Sequence, residues 1–395
     1  MHKMAKTGAK RAANGNGTIR QRPDGRWEGR YSIGFDGGTG KQIQRSVYGK
    51  TQKEVRLRLQ QIAVSIERGD YIESNKMTVG KWLSTWLENY NEGAKRSTLI
   101  SYEQHCRNHI IPALGAVQLS ALRPDSVQKF VKSLSAPGKA LSPKTVKNIH
   151  GVLHSALKKA VALHYISFNP ADNCDLPRIE KPDIQPLDTP EIVKFLDVLK
   201  DDSLFSVLMK TDLFTGLRLS EILGLQWSCT DFEHGIITVS KQLSRPRKKG
   251  EVYCFTSLKN GKSRTIKPAA SVMALLKEHK KHQAEMRLLA GSLWDDGGFP
   301  DLVFTTETGG HLCYAVVERR YKKALAQAGI PERNFHTLRH SFAVASLQAG
   351  DDVKIIQQNL GHYSAAFTLD VYGHVTDTMR EISSQNMERF IAGLK

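Results

Sequence analysis

Cysteine is scarce in this chain and forms no pattern. Five of 395 residues are cysteine, Cys106, Cys174, Cys229, Cys254 and Cys313, scattered, odd in number and never spaced as CxxC. That excludes a disulfide framework and a zinc knuckle, and it fits a reducing cytoplasm. No apolar run approaches the ~18 residues that a membrane helix needs, and no signal-peptide pattern is present. No membrane partner is therefore expected. Acidic residues are short too, and unevenly so. Residues 1–77 carry 16 Lys and Arg against 7 Asp and Glu, residues 78–170 carry 12 against 4, and residues 171–395 carry 29 against 28. Almost all of the net charge of +18 thus sits in the first 170 residues, where a polyanion would be gripped by phosphate contacts and counterion release. A solvated basic surface without a partner is the plainer alternative. Chemistry, rather than grip, is to be sought in the near-neutral remainder.

At this length two or three domains are expected. Residues 1–15 are small and basic, and read as a disordered arm. From Thr18, short runs of strand-forming residues are separated by the turn formers Pro23-Asp24-Gly25 and Asp36-Gly37-Gly38, which predicts a three-stranded antiparallel meander. Thr51, with Glu54 three residues on, opens a helix to about residue 68 that would bury Val55, Leu59, Ile62 and Ile66. This module, residues 16–75, is studded with Arg20, Arg22, Arg26 and Arg30 beside Trp27, and a sheet face of that kind can lie in a major groove. Packing of Trp27, Tyr31 and Phe35 against the helix is the alternative for one face.

Residues 78–170 read as a helical unit. Helices are expected over 79–87, over 97–111 with Pro112 ending it, over 125–134 capped by Asp125, and from Ser142-Pro143 to about residue 164. Lys95, Arg96, Lys139, Lys144 and Lys147 stand near helix starts, where they would meet a duplex; a plain helical bundle is the alternative. Four prolines between residues 170 and 186 mark a linker over 171–186. The last domain, 187–395, opens on a helix capped by Thr189, continues through helices over 190–200 and 203–214, then passes through strand-like runs. Asn260-Gly261 reads as a hairpin turn. Helices resume from about Ala269 to the end.

Two segments of this last domain carry the chemistry. Near the end, His336, Arg339, His340, His362 and Tyr372 fall within 37 residues; far upstream, Thr215-Gly216-Leu217-Arg218-Leu219-Ser220-Glu221 adds a guanidinium and a carboxylate. Cations, ring nitrogens and a phenol suit an anionic centre attacked by a tyrosine oxygen. His336 and His340 have the spacing of a metal pair, but residue 337 is Thr and no thiolate or carboxylate completes a site, so no metal is expected. Arg218 and Glu221 could also be a plain ion pair on a helix.

Taken in order, Thr215-Gly-Leu-Arg218-Leu-Ser-Glu221, a lysine turn, His336-x-x-Arg339, Leu360-Gly-His362 and Tyr372 ten residues later resemble the tyrosine recombinase (phage integrase) family. The resemblance extends over nearly the whole chain and is nearest to integrases of conjugative transposons. It implies a multidomain, mainly α fold: an N-terminal three-stranded sheet plus helix that binds arm sites, a helical core-binding domain, and a mixed α/β, mostly helical catalytic domain. It implies that Tyr372 attacks a DNA phosphodiester, leaving a 3′-phosphotyrosyl bond that needs neither ATP nor any other cofactor. Arg218 and Arg339 would clamp the phosphorane, Lys259 would protonate the leaving 5′ oxygen with Lys262 in reserve, and His336 and His362 would bind phosphate or move protons. Glu221 and His340 would support these from behind. Tyr363 directly follows His362, which is the wrong spacing for the nucleophile. A type IB topoisomerase shares the catalytic set, and a non-catalytic DNA-binding regulator would share the charge asymmetry. The expected partners are double-stranded DNA at core and arm sites, three further copies in a tetramer on a Holliday junction, and an excision factor. The C-terminal apolar stripe, Met379, Ile382, Met387, Phe390 and Ile391, would dock on a neighbouring subunit or on its own domain. A cytoplasmic, nucleoid-associated location follows.

Overall fold

The computed structural model describes residues 18–67, 77–138, 140–180, 185–200, 203–247, 250–361 and 377–394. The chain divides into two compact units, Met1–Glu180 and Lys181–Lys395. No helix among the described residues is long and apolar enough to cross a membrane.

The first unit opens with strands β1 (Thr18–Gln21), β2 (Trp27–Phe35) and β3 (Gln42–Gly49), paired antiparallel in that order. Helix α1 (Gln52–Glu67) covers one face, with Val55 and Leu59 buried. At its start Thr51 Oγ1 accepts the Glu54 N–H, as the sequence indicates, while Glu54 Oε2 accepts the Lys50 N–H rather than that of Thr51 itself. The helix lies directly on β2. A Cβ on Gly29 would sit 2.6 Å from Val55 Cγ1 and 2.7 Å from Leu59 Cδ1, so only glycine admits this approach. Strand alternation puts Trp27 and Tyr31 on the same face as Gly29.

The helices that follow are α2 (Val79–Asn89), α3 (Arg96–His105), α4 (Ile111–Leu114), α5 (Pro124–Leu134) and α6 (Pro143–Ala162). Their apolar faces meet in one core around Trp82, Ile110, Ile149, Leu153 and Leu157, and the Trp82 indole donates to the Ala156 carbonyl at 2.9 Å. Two helix boundaries differ from the expected ones. Pro112 does not end the helix: a π-helical turn, Cys106–Ile110, shifts the hydrogen-bond ladder, and Pro112 falls in the first turn of α4, where its missing N–H costs nothing. Asp125 is not a cap. Arg123 holds that position, Pro124 opens α5, and Asp125 pairs with Lys129 one turn on at 2.8 Å. At α6 the expected cap is present, with Ser142 Oγ accepting the Thr145 N–H.

In the second unit, α7 (Thr189–Val198) is capped by Asp188 rather than Thr189. Asp188 accepts the Glu191 N–H at 2.8 Å while Glu191 accepts the Asp188 N–H, so the capping box begins one residue earlier. Then come α8 (Ser203–Thr215), α9 (Leu219–Leu223), strands β4 (Thr230–Asp231), β5 (Ile236–Val239), β6 (Lys241–Ser244), β7 (Cys254–Ser257) and β8 (Arg264–Ile266). The Asn260-Gly261 turn closes no hairpin. β7 pairs with β6, whereas β8 pairs with β5 in a sheet ordered β4-β5-β8. Buried Ile266, set opposite buried Ile237, decides that pairing over the local turn signal. Helices α10 (Ala270–Ala290), α11 (Tyr314–Gln327), α12 (Thr337–Gln348), α13 (Val353–Leu360) and α14 (Asp377–Ala392) complete the unit. The core gathers Phe195, Leu208, Phe304, Tyr321 and Leu338, and α12 packs between α8 and α13. That packing brings the two chemistry-bearing segments together.

Candidate active site

The site begins at the break between α8 and α9. Gly216 takes φ +63°, and a Cβ there would lie 2.5 Å from Phe342 of α12 and 2.7 Å from Leu360 of α13. The turn therefore requires glycine twice over, by backbone conformation and by space. Two residues later, Arg218 enters α9 and leans back on Glu221: its backbone N–H donates to Oε2 at 3.0 Å and its Nη1 to Oε1 at 2.7 Å. A surface ion pair this is not. The Glu221 side chain has no exposure at all, and a second guanidinium, Arg264 from the start of β8, donates to both carboxylate oxygens at 3.1 and 2.6 Å.

Arg339 occupies the first turn of α12 with 1% of its surface exposed. Its Nη1 donates to the Gly216 carbonyl at 2.6 Å and its Nη2 to the Leu360 carbonyl. The end of α13 thereby becomes a shared anchor. Arg264 Nε donates to Asn359 O at 2.7 Å, Arg339 to Leu360 O, and Arg218 Nη2 to Gly361 O at 3.3 Å. These are carbonyls that a helix end leaves without intrahelical partners, at the negative pole of its dipole. Asn260 Nδ2 adds a second donor to Gly361 O at 3.2 Å, which brings the turn carrying Lys259 and Lys262 to the same place. Both lysines are exposed on that turn.

His336 stands at the N-cap of α12 and His340 one turn on, with ring centroids 4.7 Å apart and nearly perpendicular. Desolvation of the His336 ring, then the charges of His340, Arg339 and Arg218, push its pKa down; His340 is lowered by burial and by Arg339. Both shifts favour the neutral imidazole. Burial alone would raise the Glu221 pKa, but the Arg264 hydrogen bonds and charge, followed by Arg218, hold it down at about 2. No His, Cys, Asp and Glu group among the described residues could hold a metal ion.

Two site residues escape a reading of the sequence. Arg264 is legible only as one basic residue of a turn, because nothing local says that a buried Glu221 needs a second cation. Asp212, in the last turn of α8, is 1% exposed, and neither carboxyl oxygen has a hydrogen-bond partner. Burial raises its pKa well above the usual carboxylate range, against the pull of Arg339 and with Glu221 adding to it. A group that binds its proton more tightly when folded loses stability for the fold as pH rises. Relative to Asp212→Asn, the wild type is therefore expected to lose urea resistance between pH 4 and pH 8; parallel profiles would refute this.

The basic residues of the first unit are spread out. Arg20 and Arg30 project from the sheet face that α1 leaves open, Arg26 is paired with Asp24 in the β1–β2 turn, and the Arg22 guanidinium lies 5.5 Å from the Tyr48 ring centre. Trp27 belongs to the helix-covered face. Lys95 caps α3, which Arg96 opens, and Lys144 and Lys147 stand in the first turns of α6. Lys147, Ser97, Thr98, Ser101 and His105 line a cleft of about 500 Å³ between these two helices. Lys139, His362, Tyr363 and Tyr372 lie outside the described residues, as do the side chains of Met379 and Ile382. His362 follows Gly361 directly in sequence, and Gly361 ends α13 in the left-handed conformation (φ +61°).

Forked guanidiniums are groups suited to an oxyanion such as a phosphodiester, and Arg218, Arg264 and Arg339 share one carbonyl-lined anchor. Comparison with known proteins places the chain. The phage integrase family model matches residues 185–379, and the phage integrase N-terminal SAM-like domain matches residues 78–135. A "tyrosine recombinase XerC-like" protein of Caldanaerobacter subterraneus subsp. tengcongensis is 31% identical over 353 residues, spanning 85% of this chain and 89% of that protein. The ICEBs1 integrase of Bacillus subtilis is 22% identical over 91% and 95% of the two chains. Among solved structures, the Tn1549 transposon integrase in complex with circular intermediate DNA matches with a TM-score of 0.66 at 22% identity, over 78% of this chain and 99% of that one. A lambda integrase tetramer bound to a Holliday junction matches at 0.55 and 17% identity, over 93% and 99%. The chain belongs to the phage integrase family of tyrosine recombinases, enzymes that cleave and rejoin DNA. Its fold class is the one the sequence indicates, a small N-terminal sheet followed by mainly helical domains.

Proposed function

We propose that this recombinase integrates and excises a mobile element through a 3′-phosphotyrosyl intermediate. The observation that carries the reading is the convergence of Arg218, Arg339 and the Glu221–Arg264 pair on the end of α13, one residue before His362 and eleven before Tyr372. Arg218 and Arg339 take the non-bridging oxygens of the scissile phosphate, each with forked donors, as the phosphorane gathers negative charge. The Tyr372 oxygen forms a bond to phosphorus as the bond to the 5′ oxygen breaks. An imidazole, His336 or His362, accepts the phenolic proton, and Lys259 delivers a proton to the leaving 5′ oxygen, with Lys262 the reserve. The phosphotyrosyl bond conserves the energy of the broken one, so a 5′ hydroxyl from a partner duplex can reverse the reaction and exchange strands. Glu221 fixes Arg218, and His340 packs behind His336.

The names of the ICEBs1 and Tn1549 relatives support the mobile-element reading, and the lambda tetramer on a Holliday junction supports a tetramer exchanging strands in two steps. In this reading residues 78–170 and 187–395 hold the crossover DNA, and Lys95, Arg96, Lys139, Lys144 and Lys147 contact it. Residues 16–75 bind separate arm sites, so that each protomer is bivalent. Exposed Met387, Phe390 and Ile391 on α14 offer an apolar stripe to a neighbouring subunit. An excision factor sets direction, and the protein works on the nucleoid. The experiment is a suicide duplex nicked beside the crossover, incubated with the protein in EDTA and run on a denaturing gel. A covalent protein–DNA adduct is expected; no adduct with binding intact would leave a DNA-binding regulator.

A further inference from the structure

The open face of the N-terminal sheet has an acidic residue at its centre. Glu28, on β2, stands opposite Arg20 of β1 and Tyr48 of β3. Its carboxylate is nearly covered, with 3% of the residue exposed, while the Arg20 and Arg30 side chains above it are 59% and 45% exposed. Arg20 Nε donates to Oε2 at 2.7 Å and its Nη2 lies at the same distance; Arg30 Nε donates to Oε1 at 3.2 Å, and Ser46 Oγ from β3 donates to Oε1 at 3.0 Å. One carboxylate thus ties together three strands. A guanidinium has five N–H donors, and Glu28 engages two of Arg20 and one of Arg30. Each fork keeps donors for a second acceptor. The Arg20 hydrogen bond, with those of Ser46 and Arg30, holds the Glu28 pKa near 2, so the carboxylate is charged wherever the protein works.

On a surface that meets a polyanion, a buried negative charge at the centre is a cost unless it organises the cations around it. We propose that Glu28 is the positioning residue for arm-site recognition, fixing Arg20 and Arg30 as one rigid pair that reads duplex DNA. This rests on the arm-site reading of residues 16–75 and names the residue that makes the face specific. An arginine already held in place loses less conformational freedom on binding, and a pair in fixed register can demand two acceptors at a set spacing, phosphate oxygens or guanine edges in the major groove.

Positioning and simple electrostatics predict opposite signs. Glu28→Gln removes a negative charge, so charge alone predicts tighter binding to every DNA. Positioning predicts the reverse for the cognate site. The probe is duplex from the ends of the DNA element that encodes the chain, outside the crossover, against a scrambled duplex of equal length, with affinity of the full-length protein read by fluorescence anisotropy. Glu28→Gln is expected to weaken the end duplex at least tenfold, to leave the scrambled duplex unchanged or tighter, and to leave adduct formation on the nicked crossover duplex unchanged. End-duplex affinity equal to wild type, or tighter, overturns the inference. Should Glu28→Gln cost the sheet its fold, Arg20→Lys decides, since it keeps the charge and loses the fork: specificity lost supports the pair, specificity kept overturns it. A wild type with no preference for the end duplex is a separate result, which defeats the arm-site reading itself and this inference with it.

Discussion

Tyr372→Phe is expected to form no covalent adduct on the nicked duplex, and Tyr363→Phe to form it as the wild type does. The substitution deletes one oxygen, the atom proposed to bond to phosphorus, and leaves a ring of the same shape. DNA binding, proposed for the basic first unit and for Arg218 and Arg339, is expected to persist. The loss of adduct should be on the order of a thousandfold or more, as when a nucleophile is deleted from other covalent enzymes. Denaturing gels of the three proteins in EDTA measure it, with a mobility-shift assay as the control for binding. An adduct lost only in Tyr363→Phe would keep the chemistry but move the nucleophile next to His362, and the spacing argument would be wrong.

The second large effect is on stability. Glu221 is the only described carboxylate bonded to Arg218 and Arg264, and removing one member of a buried ion pair costs about 3–5 kcal/mol. Glu221→Gln should lower the urea midpoint accordingly at pH 7. The effect depends on pH in a definite direction. Folding holds the Glu221 pKa at about 2, below its ordinary 4.5, so its contribution is complete above about 4.5 and is lost as pH falls through that window towards 2. The shift corresponds to about 3 kcal/mol. Wild type and Glu221→Gln should therefore differ most near neutrality, approach each other from about pH 4.5 downward and converge only below about pH 2. A gap that stays constant from pH 7 to pH 3 would mean that Glu221 is not ionised against its two arginines. At temperatures where the variant remains folded, slower cleavage is also expected, because Arg218 loses the group that aims it.

How much of this the sequence reveals depends on how local the signal is. The meander follows from Pro23-Asp24-Gly25 and Asp36-Gly37-Gly38, turns whose geometry is set by the residues themselves. Ser142-Pro143 is equally self-contained. Arg218, Glu221 and Arg339 were legible because a recognisable spacing carries them, and the structure gathers them through the α8–α12–α13 packing. Where competition entered, local signals failed by small steps or entirely. Asp188 displaced Thr189 as a cap because Glu191 could close a box with it. Pro112 was absorbed by a π-helical turn. Asn260-Gly261 looked like a hairpin, yet β8 found a better partner in buried β5. Arg264 and Asp212 are invisible for a simpler reason: each depends on residues far away in sequence, Arg264 on Glu221 and Asp212 on the packing that buries it.

The anchorage of the arginines on α13 has one more consequence. The acceptors at Asn359, Leu360 and Gly361 are main-chain oxygens, so the exposed side chains of this helix matter little to the grip, which is acutely sensitive to the helix's length. One residue inserted before Gly361 would present a different carbonyl to each guanidinium and shift, in the same stroke, the chain that leads to His362 and Tyr372. Divergence in α13 should accordingly proceed by substitution and spare its register, which makes this helix a ruler for the recombinase and the wrong place to splice in a new loop.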